Sequence, residues 1–134
     1  TISLSDLLTP WDTIVKRVHA AASADFVTSF YNPVSKKRNW QMNTVVEILL
    51  SYRSASTPVA IGRNLGRDHE LVEIVRLEAL SADRLDMLCI VIVGNSSSVT
   101  FEHNNTTKIY TPRGYQNKIS AEGATEVSIS HAVK

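Results

Sequence analysis

Four turns hold most of the side chains in this chain that could grip a small molecule, and each ends an apolar stretch. They read Phe30-Tyr31-Asn32-Pro33, Arg63-Asn64-Leu65-Gly66-Arg67, Val93-Gly94-Asn95-Ser96 and Thr111-Pro112-Arg113-Gly114-Tyr115. Asn and Ser offer amide and hydroxyl partners, and a glycine lets a ligand approach the backbone closely. Two arginines around one turn, Arg63 and Arg67, can take carboxylates in a bidentate fashion. This is chemistry of binding and alignment, not of bond breaking. Taken singly, each turn also reads as an ordinary polar loop.

Other chemistries lack their residues. His19, His69, His103 and His131 are scattered, where a metal site needs clustered ligands. There is no Gly-x-Ser-x-Gly elbow and no phosphate-binding loop. Cys89 sits inside an apolar run and reads as an inert core thiol with no internal disulfide partner. Asp68-His69-Glu70 follows a glycine turn; an acid–base cluster is one reading, and a solvated loop is the favoured one. Ser35-Lys36-Lys37-Arg38 sets three cations in a row. A phosphate or carboxylate site is one reading, and a solvated helix entrance is the favoured one.

The elements that must position these turns follow from periodicity. Met87 to Val93 is unbroken, apolar and rich in β-branched residues, which suits a central strand covered on both faces. Asp25 to Tyr31 and Pro58 to Gly62 read as two further strands. Glu70 to Arg76 reads as an edge strand, and Thr100-Glu102 with Lys108-Tyr110 as a hairpin around Asn104-Asn105. Trp11, Ile14, Val15, Val18 and Ala22 make one stripe on a helix opened by Thr9-Pro10. Met42, Val45, Val46, Leu49 and Leu50 make the apolar face of a second helix over Trp40 to Tyr52, and a short helix is expected over Leu77 to Ala82. The class is α/β. Ligands of open α/β sheets bind beyond the carboxyl ends of strands. Tyr31, Asn64 and Asn95 are therefore expected on one shared rim.

Composition bounds the rest. The 134 residues suffice for one core, and 43% hydrophobic with 20% charged residues is ordinary for a globular chain. The net charge of +1 is too small and dispersed to argue for nucleic acid. With one cysteine and no long apolar span, the expected setting is the cytoplasm, away from any membrane. The opening at Thr1, with no Met, reads as a cut from a longer polypeptide.

With Ile2-Ser3-Leu4-Ser5-Asp6-Leu7-Leu8-Thr9-Pro10-Trp11, the four turns resemble the tetrapyrrole methylase family, in its branch of ring-contracting C17-methyltransferases of corrin (vitamin B12) biosynthesis. The likeness covers residues 1 to about 115. It implies the C-terminal domain of that fold, a mixed β-sheet flanked by helices, over 1–115. Residues 116–134 then form a tail, flexible or adding a strand near Glu126 to Ile129. It implies a two-domain enzyme using S-adenosylmethionine and releasing S-adenosylhomocysteine. The N-terminal domain with its Gly-rich motif has no counterpart here, and a homodimer is expected. The implied reaction is methyl transfer to C17 of precorrin-3B with ring contraction. Two alternatives stand beside it: a cobalt-bearing substrate of the anaerobic branch, and a non-catalytic binding or dimerisation module. By the same likeness Tyr31, Asn32, Asn64, Leu65, Asn95 and Ser96 line the adenosine pocket. Ser5, Asp6, Arg63 and Arg113 face the carboxylate-rich substrate. Leu65 replaces the small Ala usual in the family and is expected to narrow the adenine pocket. No catalytic acid or base is assigned.

Overall fold

The structure, a computed structural model, describes residues 1–114. Tyr115 and the expectations for 116–134, including the added strand, lie outside the described residues. Five strands form one sheet in the order β1-β2-β5-β3-β4: β1 Ile2–Ser3, β2 Thr28–Tyr31, β3 Pro58–Arg63, β4 Leu71–Arg76 and β5 Cys89–Val93. The apolar run does supply the middle strand, shortened to Cys89–Val93. Met87 and Leu88 precede it in a turn and are 62% and 53% exposed.

Strand β5 is antiparallel to both neighbours, with Val93 opposite Thr28 on one side and Val59 on the other. Among the described residues only β1 and β2 pair in parallel. Burial along β5 alternates, with Cys89, Val91 and Val93 buried and Ile90 and Ile92 half-buried. That is the pattern of an antiparallel strand with one face on the main core, not of a strand equally covered on both.

The buried face packs against α1 Trp11–Ser23 and α2 Gln41–Leu50. Ile14, Val18 and Ala22 of α1 and Met42, Val45, Val46 and Leu49 of α2 join Phe30, Val59, Ile61 and Val91 in one cluster. Burying a side chain such as Phe30 or Leu49 contributes roughly 1.5–3 kcal/mol. The start of α1 differs from expectation by one residue. Pro10 is the N-cap, and its carbonyl accepts the Thr13 and Ile14 amides at 3.0 and 3.2 Å. In place of a short helix over 77–82 there are two 3-10 turns, Leu77–Ala79 and Ala82–Arg84, separated by extended backbone.

A separate hairpin pairs β6 Val99–His103 with β7 Thr106–Tyr110. Asn104 and Asn105 both have positive φ, 50° and 55°, as a two-residue primed turn requires. Strand β7 leans against β3 and β4.

Candidate functional site

Strands β2 and β3 run the same way, so Tyr31 and Arg63 finish at one edge of the sheet. Tyr31 and Gly62 each lie opposite Ile90, which puts the start of β5 between them. The result is a cleft of about 360 Å³ walled by Tyr31 and Asn32 on one side and Asn64 and Leu65 on the other, with Met87 to Ile90 as its floor. Asn32 and Asn64 occupy the left-handed region, with φ of 50° and 52°. Asn tolerates that conformation better than most side chains, which is why both turns carry it. The Asn64 amide donates to the Leu88 carbonyl at 3.3 Å, tying the β3 turn to the floor. Leu65 folds back over Gly62: a Cβ on that glycine would stand 2.8 Å from the Leu65 Cδ1. The Leu65 side chain therefore rests where a side chain on Gly62 would stand.

Beside the cleft lies a wider groove of about 690 Å³, sharing Asn32 and Met87 with it. Ser5 and Asp6 leave β1 along this groove. The Asp6 carboxylate faces the Arg38 guanidinium at 3.7 Å and accepts from the Gln41 amide at 3.4 Å. Arg38 also donates to the Asn32 carbonyl at 3.1 Å. Ser35 to Arg38 is a tight turn closed by reciprocal backbone bonds of 2.8 and 3.1 Å. Lys36 and Lys37 point outward from it while Arg38 turns in and is 8% exposed. The expected solvated helix entrance is thus a structured turn with one buried cation, and α2 starts three residues later. An apolar belt surrounds cleft and groove: Leu7 is 88% and Leu8 97% exposed, with Trp40, Leu65 and Met87 between 48% and 62%. So much exposed apolar surface on one edge is the mark of a face meant to be covered.

Asn95 and Ser96 do not share this rim. Because β5 runs opposite to β2 and β3, its carboxyl end lies beside Thr28 and Pro58, at the other edge of the sheet. The strand-end rule assumes parallel strands, and the central strand here is antiparallel. At that edge the polar groups serve one another. Asn95 donates its side-chain amide to the Asp25 carbonyl at 3.0 Å, and the Ser96 amide donates to the Asp25 carboxylate at 3.0 Å. The Ser96 hydroxyl bonds the same carboxylate. These bonds hold the Asp25 carboxyl below its ordinary pKa, with Ser96 as the main cause and Arg53 a lesser one. Arg53 is 8% exposed and donates to the carbonyls of Gly94 at 2.6 Å, Phe26 at 2.5 Å and Ala21 at 3.4 Å.

Two substrate-side expectations also move. Arg63 begins at the right edge, but its guanidinium is spent on the Arg84 carbonyl at 2.8 Å and the Asp86 carboxylate at 3.1 Å. The Cys89 sulfur and then Asp86 raise its pKa, so it remains a cation bracing the segment before β5. Arg113 follows Thr111, whose hydroxyl meets Ser98 at 2.6 Å, so it belongs to the Asn95 edge. Ser5 and Asp6 do flank the cleft. Trp40, Gln41, Met87 and Leu88 border the site and were not singled out for it, and Arg38 was considered only within the run Ser35 to Arg38 as one reading of an anion site. The available signal was three cations ending on an arginine just ahead of an apolar helix face. Cys89 is buried, as expected. No helix among the described residues is long and apolar enough to cross a membrane.

Comparison with known proteins gives this geometry its context. No family model matches the chain. It is 49% identical over 118 residues to the cobalt-factor III methyltransferase of Priestia megaterium, matching 88% of this chain and 21% of that protein. It is 43% identical over 115 residues to the precorrin-3B C(17)-methyltransferase of a Sinorhizobium species, matching 85% of this chain and 45% of that protein. The crystal structure of the methyltransferase CobJ superposes with a TM-score of 0.73 at 33% identity, over 83% of this chain and 45% of that one. The chain spans less than half the length of each of these relatives. It corresponds to the C-terminal part of the C17-methyltransferases of cobalamin biosynthesis, in sequence and in fold. That likeness does not depend on Asn95 sharing the rim.

Proposed function

We propose that this chain is the C-terminal domain of an S-adenosylmethionine-dependent C17-methyltransferase of corrin biosynthesis, and that its open rim forms one wall of the active-site cleft. The observation that carries the reading is the pairing of Tyr31-Asn32 with Asn64-Leu65 across Met87 to Ile90. That cleft joins apolar faces to amide groups at its edge, which suits a nucleoside: a flat ring wants apolar walls, and its polar edge wants donors and acceptors. Tyr31, Leu65 and Leu88 supply the walls, and the Asn32 and Asn64 side chains supply the edge. Bound there, S-adenosylmethionine supplies a methyl group on a positively charged sulfur.

This chain's residues bind, align and exclude water. The Ser3 hydroxyl accepts from the Asn32 side chain at 3.2 Å and from the Ser5 amide at 3.2 Å, fixing the first turn against β1. The Asn64 to Leu88 bond fixes the second turn to the cleft floor. Leu7, Leu8 and Met87 belong against a second domain that closes the rim and keeps water away. The intact protein on this reading is a cytoplasmic homodimer.

The test uses the full-length protein with S-adenosylmethionine labelled in its methyl group. Precorrin-3B and cobalt-factor III are supplied separately, since relatives named for each resemble the chain at 43% and 49%. Label entering one of them, with the ring-contracted product in its mass and absorption spectra, is the expected result. Absence of transfer to both, with no S-adenosylmethionine bound by calorimetry, rejects the reading in favour of a binding or dimerisation module.

A further inference from the structure

The floor of the cleft is apolar, yet packing does not hold it. Met87 and Leu88 are more than half exposed, so few apolar contacts fix their position. Polar bonds fix it instead, and they converge on one carboxylate. Asp86 Oδ1 accepts the Leu88 amide at 2.8 Å and the Cys89 thiol at 3.4 Å. The Asp86 carbonyl accepts the Cys89 amide at 3.3 Å, which closes the turn. Asp86 Oδ2 faces Arg63 Nε at 3.1 Å, as an ion pair off the line of a directed hydrogen bond. Arg63 is itself anchored by its bond to the Arg84 carbonyl at 2.8 Å. Cys89, opposite Arg63 in the sheet, is buried and gives the turn a fixed base. The end of β3 thus grips the floor twice. Arg63 holds the Asp86 carboxylate, and the Asn64 amide holds the Leu88 carbonyl.

We propose that Asp86 is a positioning residue of the cleft: held by Arg63, its carboxylate sets the Met87-Leu88 floor at the height where a nucleoside ring packs. That the ring belongs to S-adenosylmethionine rests on the function proposed above, whereas the brace rests on these contacts alone. An aspartate at the start of a turn accepts the amide two residues on, which shapes the turn before any ligand arrives. Preorganisation of this kind raises affinity, because the bound state no longer bears the cost of ordering the loop. Neither Asp86 nor Arg63 lines the cleft, so both act through Leu88. Leu88 makes the contact, Asp86 aims it, and Arg63 keeps the carboxylate in place.

The experiment titrates the full-length protein by calorimetry with S-adenosylmethionine and, separately, with adenosine. Asp86→Ala is expected to weaken both by the same factor, roughly tenfold, because it strands the Leu88 amide and frees the floor. The factors should be equal because the floor meets the ring and not the methionine tail. Asp86→Asn keeps an oxygen for the Leu88 amide and loses only the ion pair, so a loss of a few-fold is expected. Arg63→Met should match it, R63M/D86N should be no weaker than the weaker single variant, and Arg63→Lys should recover part of the loss. Amide exchange across Asp86 to Ile90 in the ligand-free protein should quicken in D86A. In turnover, KM for S-adenosylmethionine should rise while kcat at saturating cofactor holds. Arg76→Met cuts the exposed pair with Glu78 at the other end of β3 and β4, and should bind like the parent. Parent-like affinity in both D86N and R63M, loss for S-adenosylmethionine but not adenosine, additive losses in R63M/D86N, or an equal loss in R76M overturns the proposal. A parent that binds neither ligand, while exchange across the floor still quickens in D86A, keeps the brace and rejects the function proposed above.

Discussion

The two edges of the central sheet are built from the same vocabulary and put it to opposite uses. Both end strands in short polar turns containing Asn, and both place a buried arginine behind the turn. At the Asn95 edge the groups close on themselves, as Asp25 takes Asn95 and Ser96 while Arg53 gathers three carbonyls. At the Asn32 and Asn64 edge they stop short. Among the described residues Gln41 keeps its side-chain acceptor and Arg38 its Nε without a partner, as Arg53 Nε is at the other edge, and the surrounding Leu7, Leu8 and Met87 stand in solvent. A knot and a binding edge are told apart by where the hydrogen bonds go, not by which residues are present.

If the Asn95 edge is a knot, cutting it should cost stability without touching binding. Arg53→Met is the sharpest cut. It removes charge-assisted bonds to three carbonyls and leaves those carbonyls buried, a loss of about 3–4 kcal/mol. Urea unfolding should register that loss, while nucleoside binding by the folded fraction stays as in the parent. Gly94→Ala comes next. An added Cβ would meet the Ser98 Cβ and Oγ at 2.6 Å and the Pro58 carbonyl at 2.9 Å. The last contact is backbone, already bonded by the Gly94 amide at 2.9 Å, so it cannot give way cheaply. A loss of about 2 kcal/mol is expected, as for an overpacked core. Parent-like stability in both variants would mean that this edge is not held as described.

Much of this contrast was out of reach of the sequence for a physical reason. Periodicity located β5, α1, α2 and the hairpin turn at Asn104-Asn105, because those signals are local. The direction of β5 relative to β2 and β3 is not local. A seven-residue apolar run reads equally as a parallel or an antiparallel strand, and that single choice moved Asn95 and Ser96 to the far edge. Tyr31, Asn32, Asn64 and Leu65 stayed together because β2 and β3 happen to be co-directional. The fate of Arg38 and Arg63 was equally hidden. Each looked like a surface cation, and its burial or pairing depends on Asp6 and Asp86, which are distant or only moderately near in sequence. In the Gly-Asn-Ser-Ser run, Asn95 and Ser96 cap the neighbouring turn at Asp25.

A milder substitution examines the open edge. In Gly62→Ala the new methyl meets only the end of Leu65, whose nearest carbon lies at 2.8 Å. That side chain is flexible and 48% exposed, so it can swing aside at a cost of less than about 1 kcal/mol. It swings towards the cleft it lines. S-adenosylmethionine affinity should therefore change several-fold while the urea midpoint hardly moves, the reverse of Gly94→Ala. A fall in stability with unchanged affinity would erase the distinction between the edges.

The smallest expected effect concerns acid. Asp25 is held below its ordinary value of 3.8 by hydrogen bonds from Ser96, with a weaker pull from Arg53. A carboxyl with a depressed folded-state pKa adds stability that is complete above the unfolded value and is lost as pH falls through the folded one. Asp25 is only half-buried, so the gain is modest and salt should reduce it. Asp25→Asn isolates the charge, because Asn is at ease at the φ of 57° found here and its backbone carbonyl still accepts from Asn95. The variant should be slightly less stable at neutral pH and lose less on acidification below the ordinary carboxylate pKa. The two stability curves then converge at low pH, where the native Asp25 is itself protonated. Curves that stay parallel throughout would show that Ser96 does not discriminate the ionised carboxylate, and the knot would owe its strength to Arg53 and Asn95 alone.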